Sequence, residues 1–254
     1  MSLVLADNQA EITRYENNPT GNISQPYVGQ KWNEIWGFQT DGFYGSDAEA
    51  AAADQSQIWS GKWLAGDIRY ADLNGDKKIT RGSNTLSDPG DQRIIGNQTP
   101  RYNYGLNLGI EYKGFDLTAF FQGVGKRDWM AGGNYFWGFA SEWDVPMEYH
   151  TDYWRPDNTD AYYPRLRFEG GGNFQSQTKY LQNAAYARLK QLTLGYTLPE
   201  EWLRVAKIQR LRVFATGQNL FTITKMHKAF DPELLGARSY PLSRTISFGV
   251  QLGL

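Results

Sequence analysis

The sequence predicts an all-β chain whose antiparallel strands run up and down as part of a transmembrane barrel. Three observations carry that expectation. First, from 102 to 112 every even position is large and apolar (Tyr102, Tyr104, Leu106, Leu108, Ile110, Tyr112), while Asn103, Gly105, Asn107, Gly109 and Glu111 alternate with them. Such a period of two marks a strand with one apolar face. The segment 244–254 repeats it, with Ile246, Phe248, Val250, Leu252 and Leu254 against Thr245, Ser247, Gly249, Gln251 and Gly253. Second, short and long connections alternate along the chain, as periplasmic turns and extracellular loops do in outer-membrane barrels. Third, the polar faces are Asn, Gly, Ser, Thr and Gln, whereas a sandwich strand usually turns Lys and Glu to water.

Composition narrows the field. The 254 residues hold 26 Lys plus Arg against 27 Asp plus Glu, a net charge of −1 that gives no support to a nucleic-acid surface. With no Cys there is no disulfide frame and no cysteine-ligated zinc, and the two histidines, His150 and His227, stand too far apart in sequence for a His-rich metal motif. No run approaches the roughly 18 to 20 apolar residues of a spanning helix. The 27 Gly, 16 Tyr, 13 Phe and 9 Trp suit a β chain with many turns.

Taken in order, Met1-Ser2-Leu3 reads as an expression scar, and 10–16 as the tail of a strand. Residues 32–40 read as a strand. Ser46 with Glu49 forms a capping box that starts a helix over 50–53. Strand 102–112 turns at Lys113-Gly114, where glycine suits a positive φ, into strand 115–123. Strand 189–198 alternates cleanly only from Leu192 onward. Pro199-Glu200-Glu201-Trp202 suits one or two helical turns. Strand 211–220 follows, then 244–254. The long connections are 41–101, 124–188 and 221–243, and parity puts all three outside the cell. A soluble β-sandwich or jelly roll is the alternative with the same alternation.

Several segments, in one order from 28 to 254, carry a family likeness. They include Trp36-Gly37-Phe38-Gln39-Thr40-Asp41-Gly42-Phe43, Gly66-Asp67-Ile68-Arg69-Tyr70, Ile94-Ile95-Gly96-Asn97 and Pro100-Arg101-Tyr102-Asn103-Tyr104-Gly105. Tyr112-Lys113-Gly114-Phe115-Asp116, Leu194-Gly195-Tyr196-Thr197-Leu198-Pro199, Gly217-Gln218-Asn219-Leu220-Phe221 and Arg244-Thr245-Ile246-Ser247-Phe248-Gly249 continue it. The series resembles SusC/RagA-type TonB-linked outer-membrane transporters. The resemblance implies a barrel of about 22 strands, of which this chain is the C-terminal quarter, without the plug and the TonB-contacting segment. It further implies outer-membrane lipid around the barrel, a SusD-like surface lipoprotein as lid, and import of an oligosaccharide or peptide. The family usually ends in Phe where this chain has Leu254.

Two regions are candidate sites. Asp72, Asn74 and Asp76 occupy loop positions 1, 3 and 5 of an EF-hand-like calcium loop, but Lys77 replaces its glycine and Ser83 its bidentate glutamate. The expectation is an Asp/Asn turn bonding its own backbone, with no cofactor or only weakly held calcium. Residues 128–163 hold 11 aromatics in 36 positions, with seven acids among them. Flat rings beside carboxylates suit sugar stacking, so Trp137, Trp143, Trp154, Glu142 and Asp144 are the expected substrate or partner contacts. A loop folded over its own aromatic core and docked on a partner accounts for the same composition. No catalytic constellation is present, and a glycosidase pair among Glu142, Asp144 and Glu148 has no support beyond proximity. The expected function is transport, and the alternative is a soluble β-rich carbohydrate-binding module.

Overall fold

The computed structural model describes residues 1–141, 143–168, 170–204, 208–236, 240 and 242–253. Its strands are β1 (Ser2–Ala6), β2 (Glu34–Phe38), β3 (Thr40–Phe43), β4 (Ile68–Tyr70), β5 (Gln92–Asn97), β6 (Arg101–Tyr112), β7 (Phe115–Lys126), β8 (Asp128–Met130), β9 (Leu181–Asn183), β10 (Tyr186–Thr197), β11 (Arg210–Thr224) and β12 (Thr245–Gly253). Six of them form one antiparallel sheet in the order β1-β6-β7-β10-β11-β12, which is up-and-down along the chain. β6, β7 and β10 have 12 residues each and β11 has 15, long enough to cross a bilayer at a tilt.

Register shows why the alternation matters. Leu106 pairs with Phe121, Leu108 with Ala119 and Ile110 with Leu117. The same rows continue through Leu189, Leu192 and Leu194 of β10, Phe221, Gly217 and Ala215 of β11, and Phe248 of β12. Paired residues share a face, so six strands present one continuous apolar surface. Much of it is bare: Ile110 is 63% exposed, Leu194 51% and Phe248 83%. A sandwich would cover this face with a second sheet, but the other sheets among the described residues are two-stranded and lie within the long loops. The observed arrangement is a stretch of barrel wall.

A bulge explains the imperfect pattern before Leu192. Lys190 is the extra residue where the register shifts between Leu189 and Gln191, so Ala187 and Leu189 stay on the apolar face. At the Lys113-Gly114 hairpin both residues take positive φ, 46° and 82°, as a type I′ turn demands. The expected helices form at α1 (Asp47–Ala52), with the Ser46 side chain accepting from Glu49 N, and at α3 (Glu200–Leu203) after Pro199. A short α2 (Asn134–Trp137) lies between them in sequence.

Four expectations need correction. Segment 32–40 is not a barrel strand: β2 pairs with β5, and β3 with β4, inside the first long loop. Segment 10–16 contributes only an isolated Glu11–Lys31 bridge. A strand not expected from the sequence stands at the start of the chain, where Ser2–Ala6 pairs in register with β6, Leu3 opposite Leu106. The polar face also carries charge at a few rows. Near the hairpin end, Arg212 Nε lies 2.9 Å from Asp116 Oδ1, reaching over Gly195, where a Cβ would stand 2.0 Å from the Asp116 carboxylate. Replacing 32–40 by 2–6 preserves parity, so the connections 7–100, 127–185 and 225–244 all leave one edge of the sheet. Leu254 lies outside the described residues.

Candidate functional site

The buried core of the chain sits in those three connections, not in the wall. Phe38, Tyr44, Trp63, Ile68 and Tyr70 of the first pack with Trp129, Phe136, Trp137, Tyr163 and Tyr180 of the second and Met226 and Phe230 of the third. Rings meet edge-on, with Trp137 4.8 Å from Tyr180 and Trp129 5.2 Å from Phe230. Full burial of one such side chain contributes roughly 1.5 to 3 kcal/mol.

Polar side chains then stitch the loops together. Asp67, wholly buried, accepts from Leu64 N at 2.8 Å and from Asn173 Nδ2 at 2.9 Å, and pairs with Arg167. Burial pushes its carboxyl above the usual carboxylate range against the pull of those donors. Ile68 N donates to Asn173 Oδ1 at 2.8 Å, and Tyr70 OH to Gly172 O at 2.8 Å. The third loop is pinned to the polar face of the wall. Arg188 of β10, 3% exposed, reaches Asp231 and Glu233 at 2.7 Å each, and Lys190 reaches Glu233 at 3.1 Å. Pairing of this kind is what a buried guanidinium requires.

Of the expected contacts, Trp137 and Trp154 are 5% and 6% exposed. Trp137 is packed inside the loop core, which corrects its assignment to the binding surface, and Trp154 is buried too, showing only an edge to a cleft it lines with Tyr153 and Arg155. Trp143 is 85% exposed, with Val145 at 73% and Met147 at 40% beside it. Asp144 holds its own loop, accepting from Ser141 N and Asn134 Nδ2 at 2.7 Å each. Glu142 lies outside the described residues. Asp152 likewise accepts from a backbone amide of the loop, Tyr162 N at 3.2 Å.

The turn at 72–78 is exposed and spends its oxygens on its own backbone. Asp72 accepts from Gly75 N at 2.7 Å and Lys77 N at 2.8 Å, Asn74 from Asp76 N at 3.0 Å, and Asp76 from Lys78 N at 2.8 Å. The bond from Lys77 N, first among these, holds the Asp72 carboxyl below its ordinary range.

Sequence reasoning missed a cleft of about 750 Å³ beside the loop-side ends of β6 and β7. Trp36, Glu34, Lys31, Asn97 and Asp128 are among its lining residues. Trp36 Nε1 donates to Tyr27 OH at 3.1 Å and Glu34 Oε1 at 3.3 Å, and burial raises the Glu34 carboxyl. No local signal marks it, because its walls come from segments far apart in sequence. Arg188 was findable: it is a charged residue on a polar face otherwise nearly free of charge.

One wall of lipid-ready strands with a folded body of loops at one edge defines a piece of a large transmembrane barrel. No family model matches the chain. It is 29% identical over 245 residues to TonB-dependent receptor P3 of Formosa agariphila, covering 88% of this chain and 22% of that protein. It is 28% identical over 178 residues to TonB-dependent receptor SusC of Bacteroides thetaiotaomicron, covering 68% and 17%. A solved structure of the RagAB peptide transporter superposes with a TM-score of 0.67 at 25% identity, over 98% of this chain and 26% of that one. The chain thus spans about a fifth of the length of the curated relatives it matches. These likenesses make the chain similar to a stretch of TonB-dependent receptors of the SusC/RagA type. Its relatives are receptors and transporters rather than enzymes.

Proposed function

We propose that the chain forms the C-terminal part of the barrel of an outer-membrane transporter. That transporter imports an oligosaccharide or a peptide, driven through TonB, beneath a SusD-like surface lipoprotein. The observation that carries this reading is the unbroken apolar face of the six-stranded sheet, which water would not tolerate and lipid requires. A lid is supported by the apolar tip of Trp143, Val145 and Met147, which stands out from the loop body and calls for cover. Peptide cargo draws support from the RagAB likeness. Oligosaccharide cargo draws less from the aromatics than composition implied, because most of them are core.

The test is uptake of fluorescent oligosaccharide and peptide pools by cells carrying or lacking the full-length receptor. Uptake of one pool is expected to need the receptor, TonB and the adjacent lipoprotein together. Receptor-dependent uptake that persists without TonB contradicts the reading.

Calcium has no essential part in this reading. Residues 72–80 are expected to bind it weakly, since Ser83 stands where the bidentate glutamate belongs. Micromolar binding by calorimetry, abolished by Asp76→Ala, would overturn that expectation.

A further inference from the structure

The span that carries Trp143 is held at both ends by one imidazole. His150, 1% exposed, has Nε2 2.9 Å from Phe136 O, and its Nδ1 accepts from Met147 N at 2.8 Å. Phe136 and Met147 bracket the exposed tip. An accepting Nδ1 leaves the proton on Nε2, which donates to the Phe136 carbonyl, so the neutral Nε2–H tautomer alone satisfies both partners.

We propose that the neutral His150 ring is a clasp that holds the Trp143 tip in its presented form, and that a proton on Nδ1 releases it. An imidazolium directs an N–H at the Met147 N–H, turning an acceptor–donor contact into two opposed donors. That costs both the bond and the desolvation of the orphaned amide.

The Phe136 and Tyr135 carbonyls favour a charged ring, but burial among aromatic side chains outweighs them. Tyr149 packs 4.3 Å from it and Tyr163 5.0 Å, centroid to centroid, and Gly138 closes on the ring from the tip side. His227 of the third loop shares both tyrosines, at 5.4 and 6.3 Å. Among the described residues no carboxylate bonds to His150 or stacks on it. Burial lowers the His150 pKa from its ordinary 6.5; His227 is lowered by burial first, then by the charge of His150. A histidine kept neutral in the fold stabilises it above its unfolded pKa. The contribution of His150 is therefore intact above about pH 6.5 and is lost as pH falls through the lowered folded value. Mild acid opens the tip while the rest of the loop body stays closed. This device belongs to the loop itself and stands whether or not the tip meets a lipoprotein.

Hydrogen exchange on the full-length receptor, read in peptides spanning 134–152 at pH 7.5 and 5.5 and corrected for intrinsic rates, tests it. The native protein should exchange there roughly two- to tenfold faster at pH 5.5, the loss of about one buried hydrogen bond. Peptides across β6 should show no change. His150→Asn places an amide oxygen near the position of Nδ1 but leaves Phe136 O without its donor, so protection should lie somewhat below native at pH 7.5 and be the same at both pH values, the pH response abolished. His150→Phe should exchange fast at both. His227→Gln should respond as the native protein does. Equal exchange at both pH values in the native protein, or a pH response that survives in His150→Asn, overturns the proposal. If His150→Phe unfolds the whole loop body, the asparagine variant decides alone.

Discussion

Leu108→Arg in the full-length receptor is expected to abolish its assembly in the outer membrane, while Asn107→Arg assembles at close to native level. The two residues are neighbours on β6 and point to opposite faces. Leu108 sits in the apolar row with Ala119 and Leu192. An arginine near the membrane midplane on that face costs about 2 to 4 kcal/mol, a large fraction of the stability of an ordinary domain. Asn107 pairs with Phe120 on the polar face and borders an open space of about 470 Å³, also lined by Gly109, Thr118 and Gln191. A guanidinium on this face stays out of the lipid. The readout is the amount of folded, heat-modifiable receptor in outer-membrane fractions. Equal tolerance of both variants refutes the facing.

Trp137→Ala and Trp143→Ala should part company just as sharply, although both residues belong to the same aromatic-rich stretch. Trp137 touches Phe136, Phe174 and Tyr180 with centroids 4.8 to 5.0 Å away. Its removal leaves a cavity in the middle of the loop body, at a cost of about 3 to 5 kcal/mol. Limited proteolysis should then cut within 127–185 while β6, β7, β10 and β11 stay protected. Trp143, 85% exposed, contributes within about 0.5 kcal/mol to folding. If it anchors the lid, its loss costs ~2 kcal/mol or more of lipoprotein binding, read by pull-down at equal receptor level. A Trp143 variant that melts the loops, or a Trp137 variant that does not, contradicts the packing described above.

How much of this was legible in the sequence depends on the range of the force that decides each feature. The wall was legible because its determinant is local: side-chain direction reverses at every residue, so lipid on one side writes a period of two into β6 and β12. The type I′ turn at Lys113-Gly114 was legible for the same reason. The Lys190 bulge hid the phase of β10, since one inserted residue makes a regular face look irregular. The strand Ser2–Ala6 was missed because only its register on β6, about a hundred residues away, identifies it. The aromatic stretch was read correctly as needing burial, yet which rings are inside is a tertiary question. Trp137 and Trp143 are indistinguishable by composition, and the packing of Phe136, Phe174 and Tyr180 around the first decides between them. The His150 clasp was invisible because its partners are main-chain atoms, Phe136 O and Met147 N; Arg188 stood out as a charge on the polar face, but its partners Asp231 and Glu233 are set by loop closure.

The central claim is that the even positions of β6 face lipid, and single cysteines measure it most directly. The chain contains no Cys, so one can be placed in turn at each position from 103 to 111 in an otherwise cysteine-free full-length receptor. Each is spin-labelled and read for collision with oxygen, which concentrates in lipid, and with a water-soluble nickel complex. The account predicts oxygen accessibility that peaks at 104, 106, 108 and 110, with troughs at every odd position. Accessibility without a period of two, or with peaks at the odd positions, would show that this sheet is not a lipid-facing wall.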